Sequence, residues 1–480
     1  MALYILSAVL FIIVVFVAVL IIRAAAFKPK DGVKVSDTEE SFNREKAVDD
    51  LRRLIRCKTV SYHDSSLEDD GEFKKLIALL PELYPNVFKK CEYTELPDRA
   101  LLFKWKGKTD GDPSVLMAHY DVVPVNEENW EKPPFDAVIE DGILWGRGTL
   151  DTKATFNGIL FAADHLISEG FVPESDIYLA FSGGEEVNGN GAVNIVDYFE
   201  KNNITPAMVV DEGGAVVEGV FPGVNIPCGL IGIAEKGMMD VRYRSVSNGG
   251  HASAPKPHTP VGILSRACCK MEAHPFQSHL SKPVAAMFDT LGRHSSFLYR
   301  MIFANLWLFA PILDMICKKG GGELNAMMRT TVAFTQMQGS AAPNVIPPQA
   351  EMVSNMRLNP NDTIESALEY IKKTVNDDSV EVSIIQGMNP SRISKLDCDG
   401  WDRVATAVAS TWKGCLVSPY LMMQCSDSRH YGRISDRVYR FSAMDMTSEE
   451  RATIHGNNER ARVEALGKTV EFFIRLIRQC

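Results

Sequence analysis

Residues 115–124 read VLMAHYDVVP: an apolar run that ends on two polar side chains, His119 and Asp121. A short apolar run of this kind fits a strand covered on both faces. Alone, the closing H-x-D is most simply a turn with a satisfied histidine. Three other stretches share its shape, however. Asp151 follows LWGRGTL, Glu185 and Glu186 follow YLAFSGG, and Asp211 and Glu212 follow AMVV. In each, acidic groups stand where an apolar run gives out.

The segments between them set the architecture. ATFNGILFAADHLISEG (154–170) has helical spacing and stops at a glycine, and DIYLAFSGGEE (176–186) is a strand that breaks at a glycine pair. Strand, helix and strand in this order predict an α/β fold, a mostly parallel sheet flanked by helices. In such a sheet, ligands bind beyond the carboxyl ends of the strands. If the strands lie side by side, His119 and the acids share one patch.

From GLIGIAEKGMMDVRYRSVSN onward the pattern alternates like antiparallel strands, with helical pieces near 260–275. This predicts an inserted smaller α+β domain over 231–389, serving as a lid or dimerisation element. Within it, SSFLYRMIFANLWLFAPILDMICKK (295–319) is strongly apolar, but Arg300, Asn305, Pro311 and Asp314 argue against a second span. A helical lid or a partner-facing surface is expected there. Helix–strand alternation returns after 390 and ends in the amphipathic ARVEALGKTVEFFIRLIRQC. The expected division is an N-terminal segment (1–23), a linker (24–45), a catalytic domain in two parts (46–230 and 390–480) and the insertion between them.

Residues 2–22 carry no charge and are long enough to cross a bilayer as a helix. The segment reads as an uncleaved, single-pass transmembrane anchor. A cleaved signal peptide is the alternative, with Ala24-Ala25-Ala26 as its small-residue site and a secreted product. Arg23, Lys28 and Lys30 follow the span, which leans towards a cytoplasmic catalytic domain. The net charge is −10 and the pI about 5.6, with no basic patch, so no nucleic-acid partner is expected. Ten cysteines without a C-x-x-C read mostly as buried thiols.

Many carboxylates crowded together would repel and take up protons, and divalent cations remove that conflict. One histidine with several carboxylates suits zinc, with manganese or cobalt as options. Of the adjacent Glu185 and Glu186, one can bind metal while the other faces a water as general base. Asp151 is the candidate bridge between two metals. Asp121 is placed to hydrogen-bond the far ring nitrogen of His119.

The motifs HYDVVP, WEKPPF (130–135), GRGTLDTK (146–153), GGEE (183–186) and DEGG (211–214) appear in this order. They are followed by GGHASAP (249–255), RTTVAFT (329–335), NVIPP (344–348), NMRLNP (355–360), SDSRHY (426–431) and IHGNNE (454–459). As a set they resemble the M20 co-catalytic zinc peptidases and aminoacylases, over about residue 46 to the C-terminus. The RTT and SDSRH motifs and the apolar insertion are most similar to the carboxypeptidase S branch, which includes N-fatty-acyl amino acid hydrolases. The resemblance implies one zinc on His119 and Asp211, a second on Glu186 and His455, and Asp151 bridging them. It makes Glu185 the proton acceptor and Asp121 the residue that orients His119. It places His251 against the scissile carbonyl, from the same chain or a homodimer partner. Asn344 and Arg357 would hold the substrate's polar end, with Arg429 and His430 lining the pocket.

The expected activity is hydrolysis of an amide bond in a small peptide or an N-acyl amino acid with a free carboxylate. A dipeptidase or a deacylase of a polar biosynthetic intermediate is the alternative within enzymes. An inactive, membrane-anchored binding module is the alternative outside them.

Overall fold

Strand Ser114–His119 is buried at every position because both of its faces carry apolar side chains. Leu116 and Ala118 point into one hydrophobic core, with helices Lys153–Ser168 and Val463–Ile477 packed on that side. Val115 and Met117 point into another, which helix Gly191–Lys201 covers. Alternate side chains therefore serve opposite layers, which is why the run reads as continuously apolar. The computed structural model describes residues 1–30, 32–219 and 221–480.

The strand is central in an eight-stranded sheet. The order across it is Glu92–Leu96, Ala100–Trp105, Ile177–Ser182, Ser114–His119, Met208–Val217, Val438–Asp445, Cys228–Glu235 and Leu416–Met422. Ser114–His119 pairs in parallel with both of its neighbours. Met208–Val217 pairs in parallel with Val438–Asp445, and Cys228–Glu235 with Leu416–Met422. The edge strands Glu92–Leu96 and Ala100–Trp105 run antiparallel. The α/β architecture, mostly parallel with flanking helices, is the expected one. The register matters for the site: His119 lies opposite Ser182, so the Gly183–Gly184 turn delivers Glu185 and Glu186 beside the histidine.

The chain then leaves for a separate four-stranded antiparallel sheet, ordered Thr331–Gln338, Gln349–Leu358, Gly237–Val246 and Glu381–Met388. Strand Gln349–Leu358 alternates buried and half-buried along its length, so one face of this sheet packs. Helices Pro260–Ala273 and Ile364–Val375 cover that face. One stretch differs from expectation. The residues from 231 were expected to be antiparallel throughout, yet Cys228–Glu235 belongs to the large sheet and is wholly buried. Its glycines permit this: a Cβ at Gly229 would sit 2.6 Å from Val408 Cγ1, so a larger residue would not fit.

At the N-terminus, Ala2–Ala26 is a single helix. The apolar segment 295–319 forms two helices, Phe297–Phe303 and Leu306–Gly320, whose axes meet at 101°.

Candidate metal centre and active site

The site stands at the carboxyl ends of the central strands, as the apolar runs with polar ends implied. Asp151 occupies its middle. Its Oδ1 lies 2.9 Å from His119 Nε2, and its Oδ2 lies 3.0 Å from His455 Nε2. Glu186 Oε2 is 3.1 Å from the same nitrogen of His455. Glu212 Oε1 is 3.5 Å from His119 Nε2. On its far side, the His119 ring meets Asp121 twice: Nδ1 is 3.0 Å from the backbone oxygen and 3.3 Å from Oδ1. The Asp121 carboxylate also accepts the backbone N–H groups of Glu185 and Glu186, each at 3.2 Å. One buried aspartate thus fixes both the histidine and the turn that carries the two glutamates.

Two three-residue groups present donor atoms close enough to share an ion: His119, Asp151 and Glu186, and His119, Glu185 and Glu212. Donors around a tetrahedral zinc at about 2.0–2.1 Å lie roughly 3.3 Å apart, and the separations of 2.9–3.5 Å quoted above bracket that spacing. A carboxylate offering one oxygen to each of two histidines is the arrangement a bridging ligand needs. Glu186 Oε1 is buried with no hydrogen-bond partner. A buried carboxylate oxygen left this way is costly unless a cation meets it. The donor set fits a pair of divalent ions.

Electrostatics agree. Burial pushes Glu185 well above the usual carboxylate range, and Glu212 up to about 8 with the charge of Asp151 adding to it. Burial likewise raises Glu186, Asp211 and Asp427, the last to about 7. Asp151 goes the other way: against burial, hydrogen bonds from His119 and His455 hold it below its ordinary range. Hydrogen bonds from Asp151 and Glu186 raise His455 to about 10. A cluster that must take up protons when empty can release them to cations.

His119, Asp121, Asp151, Glu185, Glu186 and His455 lie together, with Asp211 beside them. The Asp211 carboxylate accepts the backbone N–H of Ser428 at 3.0 Å, and it is Glu212 that reaches His119. Adjacent strand residues face different ways, and here it is the Glu212 side chain that turns towards His119. The choice depends on how Met208–Val217 sits against its neighbours, which local pattern does not reveal. Glu459, last residue of the IHGNNE motif, was not assigned a role from sequence. It accepts the backbone N–H groups of Gly148, Leu150 and Asp151, and so holds the loop that presents Asp151.

The remaining residues fall into two groups. His251 lies on an exposed two-stranded ladder and Asn344 just before its second strand, where Ala252 N–H donates to the Asn344 backbone oxygen at 3.0 Å. This ladder is not part of the cavity that holds the clustered acids. Arg357, Arg429 and His430 gather round the turn Cys425–Ser428. Arg357 Nη1 approaches Cys425 Sγ at 3.6 Å, and Arg429 Nε donates to the Ser426 oxygen at 2.9 Å. Burial, and then the charge of Arg429, lowers His430 to about 4. Cys425 lines the cavity of about 590 Å³ that also contains Asp151, Glu185, Glu212 and His455. Its other wall is apolar, formed by Leu150, Val217, Leu230, Met422, Met446 and Ile454.

A mostly parallel sheet that brings two histidines and several buried carboxylates to its strand ends is the frame of a metal-dependent hydrolase. The chain belongs to peptidase family M20/M25/M40, whose model matches residues 115–479. It is 33% identical to the N-fatty-acyl-amino acid synthase/hydrolase of Xenopus tropicalis, over 97% of this chain and 93% of that protein. It is 32% identical to carboxypeptidase S-like protein 2 of Dictyostelium discoideum, over 95% and 90%. Among solved structures, the M20 metallo-carboxypeptidase of Sulfolobus solfataricus shares the fold with a TM-score of 0.67 at 16% identity, covering 90% of this chain and 98% of that one. The protein is accordingly an enzyme of the metallo-carboxypeptidase and amidohydrolase class.

Proposed function

We propose that the protein hydrolyses the amide bond of N-acyl amino acids or small peptides that keep a free carboxylate, using two zinc ions. The observation that supports this reading most is the Asp151 carboxylate, with one oxygen on His119 and the other on His455. His119 and Glu212 would hold one ion, Glu186 and His455 the other, and Asp151 both. Bound there, the ions would polarise the scissile carbonyl and make a water acidic enough to attack at neutral pH.

The side chains divide the rest of the work. Asp121 keeps the His119 ring in one tautomer and orientation. Glu185, raised by burial, accepts the proton of the attacking water and passes it to the amine nitrogen as the carbon–nitrogen bond breaks. The Arg357 guanidinium, at the Cys425 wall, pairs with the substrate carboxylate. The apolar wall of the cavity takes the acyl chain or an apolar side chain. His251 and Asn344 meet the carbonyl only when their ladder is brought over the cavity, by movement of the antiparallel sheet or from a homodimer partner.

Helix Ala2–Ala26 is long and apolar enough to cross a membrane. We read it as an uncleaved anchor, which the intact mass of protein extracted from membranes would check.

The deciding experiment is metal analysis of the purified protein together with turnover of a panel of N-acyl amino acids and dipeptides, with zinc, cobalt or manganese supplied. Two equivalents of zinc and turnover that rises with acyl length are expected. Dipeptide activity alone would replace the N-acyl reading, and inactivity with every metal would overturn the enzyme assignment of this site.

A further inference from the structure

Helix Leu306–Gly320 is apolar on two sides: Leu306, Leu313 and Cys317 pack inward, and a second apolar stripe faces out. Trp307, Ile312, Met315 and Ile316 are each about half exposed or more, and with Pro311 they recur at helical spacing along its outer face. Its polar contact points inward, where Asp314 pairs with Arg329, itself 1% exposed. Arg329 also donates to the Phe276 backbone oxygen at 2.8 Å, so the helix is tied to the protein by its charged side. The shorter helix before it exposes Leu298 as well. An apolar stripe facing outward on a helix whose other side is already packed calls for a cover.

The cover is indicated by what the stripe adjoins. Arg23, at the end of the N-terminal helix, donates to the Ala304 oxygen and to Asn305 Oδ1, both at 2.9 Å. Asn305 donates in return to the Leu20 oxygen at 3.2 Å. Trp307 packs edge-on against Phe16, their ring centroids 6.1 Å apart. Phe16 lies seven residues before Arg23, which is about 10 Å further into the apolar helix at 1.5 Å per residue. The outward stripe therefore begins alongside the bilayer-length helix, at a depth where that helix carries no charge. At its other end stand Lys318 and Lys319, exposed, as cations at a headgroup boundary would be. The fifteen residues of Leu306–Gly320 reach only about 22 Å as a helix, too short to cross a core of roughly 30 Å.

We propose that the outer face of residues 297–316 is a membrane-seated surface, lying in the boundary between phospholipid headgroups and acyl chains beside the exit of the anchor helix. It rests on the reading of Ala2–Ala26 as a membrane helix and is independent of the substrate assignment. A second protein copy seated on Trp307 would have to displace the lipid surrounding Phe16, so a bilayer is the better occupant. The surface also orients the enzyme. The chain passes from Gly320 into helix Gly322–Met328, whose Glu323 lines the cavity of the metal-ligand cluster. One wall of the cavity is thus carried by the chain that leaves this surface, within reach of amphiphilic molecules collected there.

The test uses the full chain, made by cell-free synthesis into phosphatidylcholine vesicles so that no signal peptidase acts. Trp307→Phe is the parent. Leu298→Trp, Ile312→Trp and Ile316→Trp are added singly, and Phe11→Trp reports on the anchor. Quenching is read with lipids brominated at shallow or deep acyl positions and with aqueous iodide. The three surface reporters are expected to lose intensity with shallow bromine and to resist iodide. Quenching by iodide and not by bromine, while Phe11→Trp is quenched by bromine, would overturn the proposal and leave the anchor standing. Protection from both quenchers would overturn it in favour of a protein partner. Failure of Phe11→Trp to respond to bromine would remove the anchor on which it rests. Far-ultraviolet circular dichroism identical to that of the parent confirms that each variant is folded.

Discussion

Arg147 and Glu459 form a buried ion pair 2.7 Å long across 312 residues of chain, with side chains 2% and 0% exposed. The pair joins the loop that carries Asp151 to the loop that carries His455. Glu459 further accepts Leu150 N–H at 2.7 Å and Asp151 N–H at 3.2 Å. Removing its charge would leave Arg147 buried without its counter-ion and the Asp151 loop less firmly held. Glu459→Gln is expected to lower stability by about 3–5 kcal/mol and to weaken metal binding. Denaturant unfolding and metal titration check this, and an unchanged unfolding midpoint would contradict it.

Glu185 is close to the metal-ligand cluster, and the proposed mechanism makes it the proton acceptor. Glu185→Gln keeps the shape and removes the base. Turnover should fall by about 10²–10⁴-fold while bound metal stays at the level of the unmodified enzyme. Metal analysis beside kcat measures both, and a variant that loses its metal would make Glu185 a ligand instead.

Glu212 and Asp211 separate cleanly by substitution. On the proposed ligand set, Glu212→Ala removes a ligand and should release one of two ions. Asp211→Asn should retain both, with affinity reduced by at most about 10–100-fold, the range for groups that support ligands from behind. Equilibrium dialysis against zinc distinguishes them, and the reverse ranking would restore Asp211 to the ligand set.

The metal-free protein should lose stability as pH rises. Glu212 is raised from its ordinary 4.5 to about 8 in the fold, so the folded state binds its proton more tightly than the unfolded state does. Its contribution is complete below 4.5 and is lost as pH climbs through about 8. His455, raised from 6.5 to about 10, acts with the same sign over a higher window. Thermal scans of chelator-treated protein should show Tm falling from about pH 5 to about pH 9, and saturating zinc should flatten the slope. A Tm that rises over this interval without metal would contradict the assignment.

Arg357 is expected to act on substrate binding. Arg357→Met should raise KM for substrates with a free carboxylate by roughly tenfold or more, with kcat little changed. The corresponding primary amides should be bound alike by both proteins. Steady-state kinetics on matched acid and amide pairs decides it.

Local pattern was enough for the layered α/β architecture, for the apolar N-terminal helix, and for the position of the site at the strand ends. These depend on periodicity and on where apolar runs stop, both properties of neighbouring residues. His119, Asp151 and Glu186 were legible because each closes such a run or follows it at once. His455 was not: it lies in a loop 304 positions beyond Asp151 and only the family motifs pointed to it. Glu459, in no apolar run of its own, carried even less local signal, since its partners are backbone N–H groups brought to it by the fold.

That Glu212 turns towards His119 while Asp211 accepts the Ser428 N–H belongs to the three-dimensional arrangement for a sharper reason. Adjacent residues on a strand face opposite sides, and a shift of one residue in pairing exchanges them. The outward apolar face of Leu306–Gly320 is similar, because the same sequence packs either face inward until Asp314 finds Arg329. Periodicity fixes which side chains share a face. Which face turns to the site, the core or the outside is decided by contacts between residues far apart in the chain.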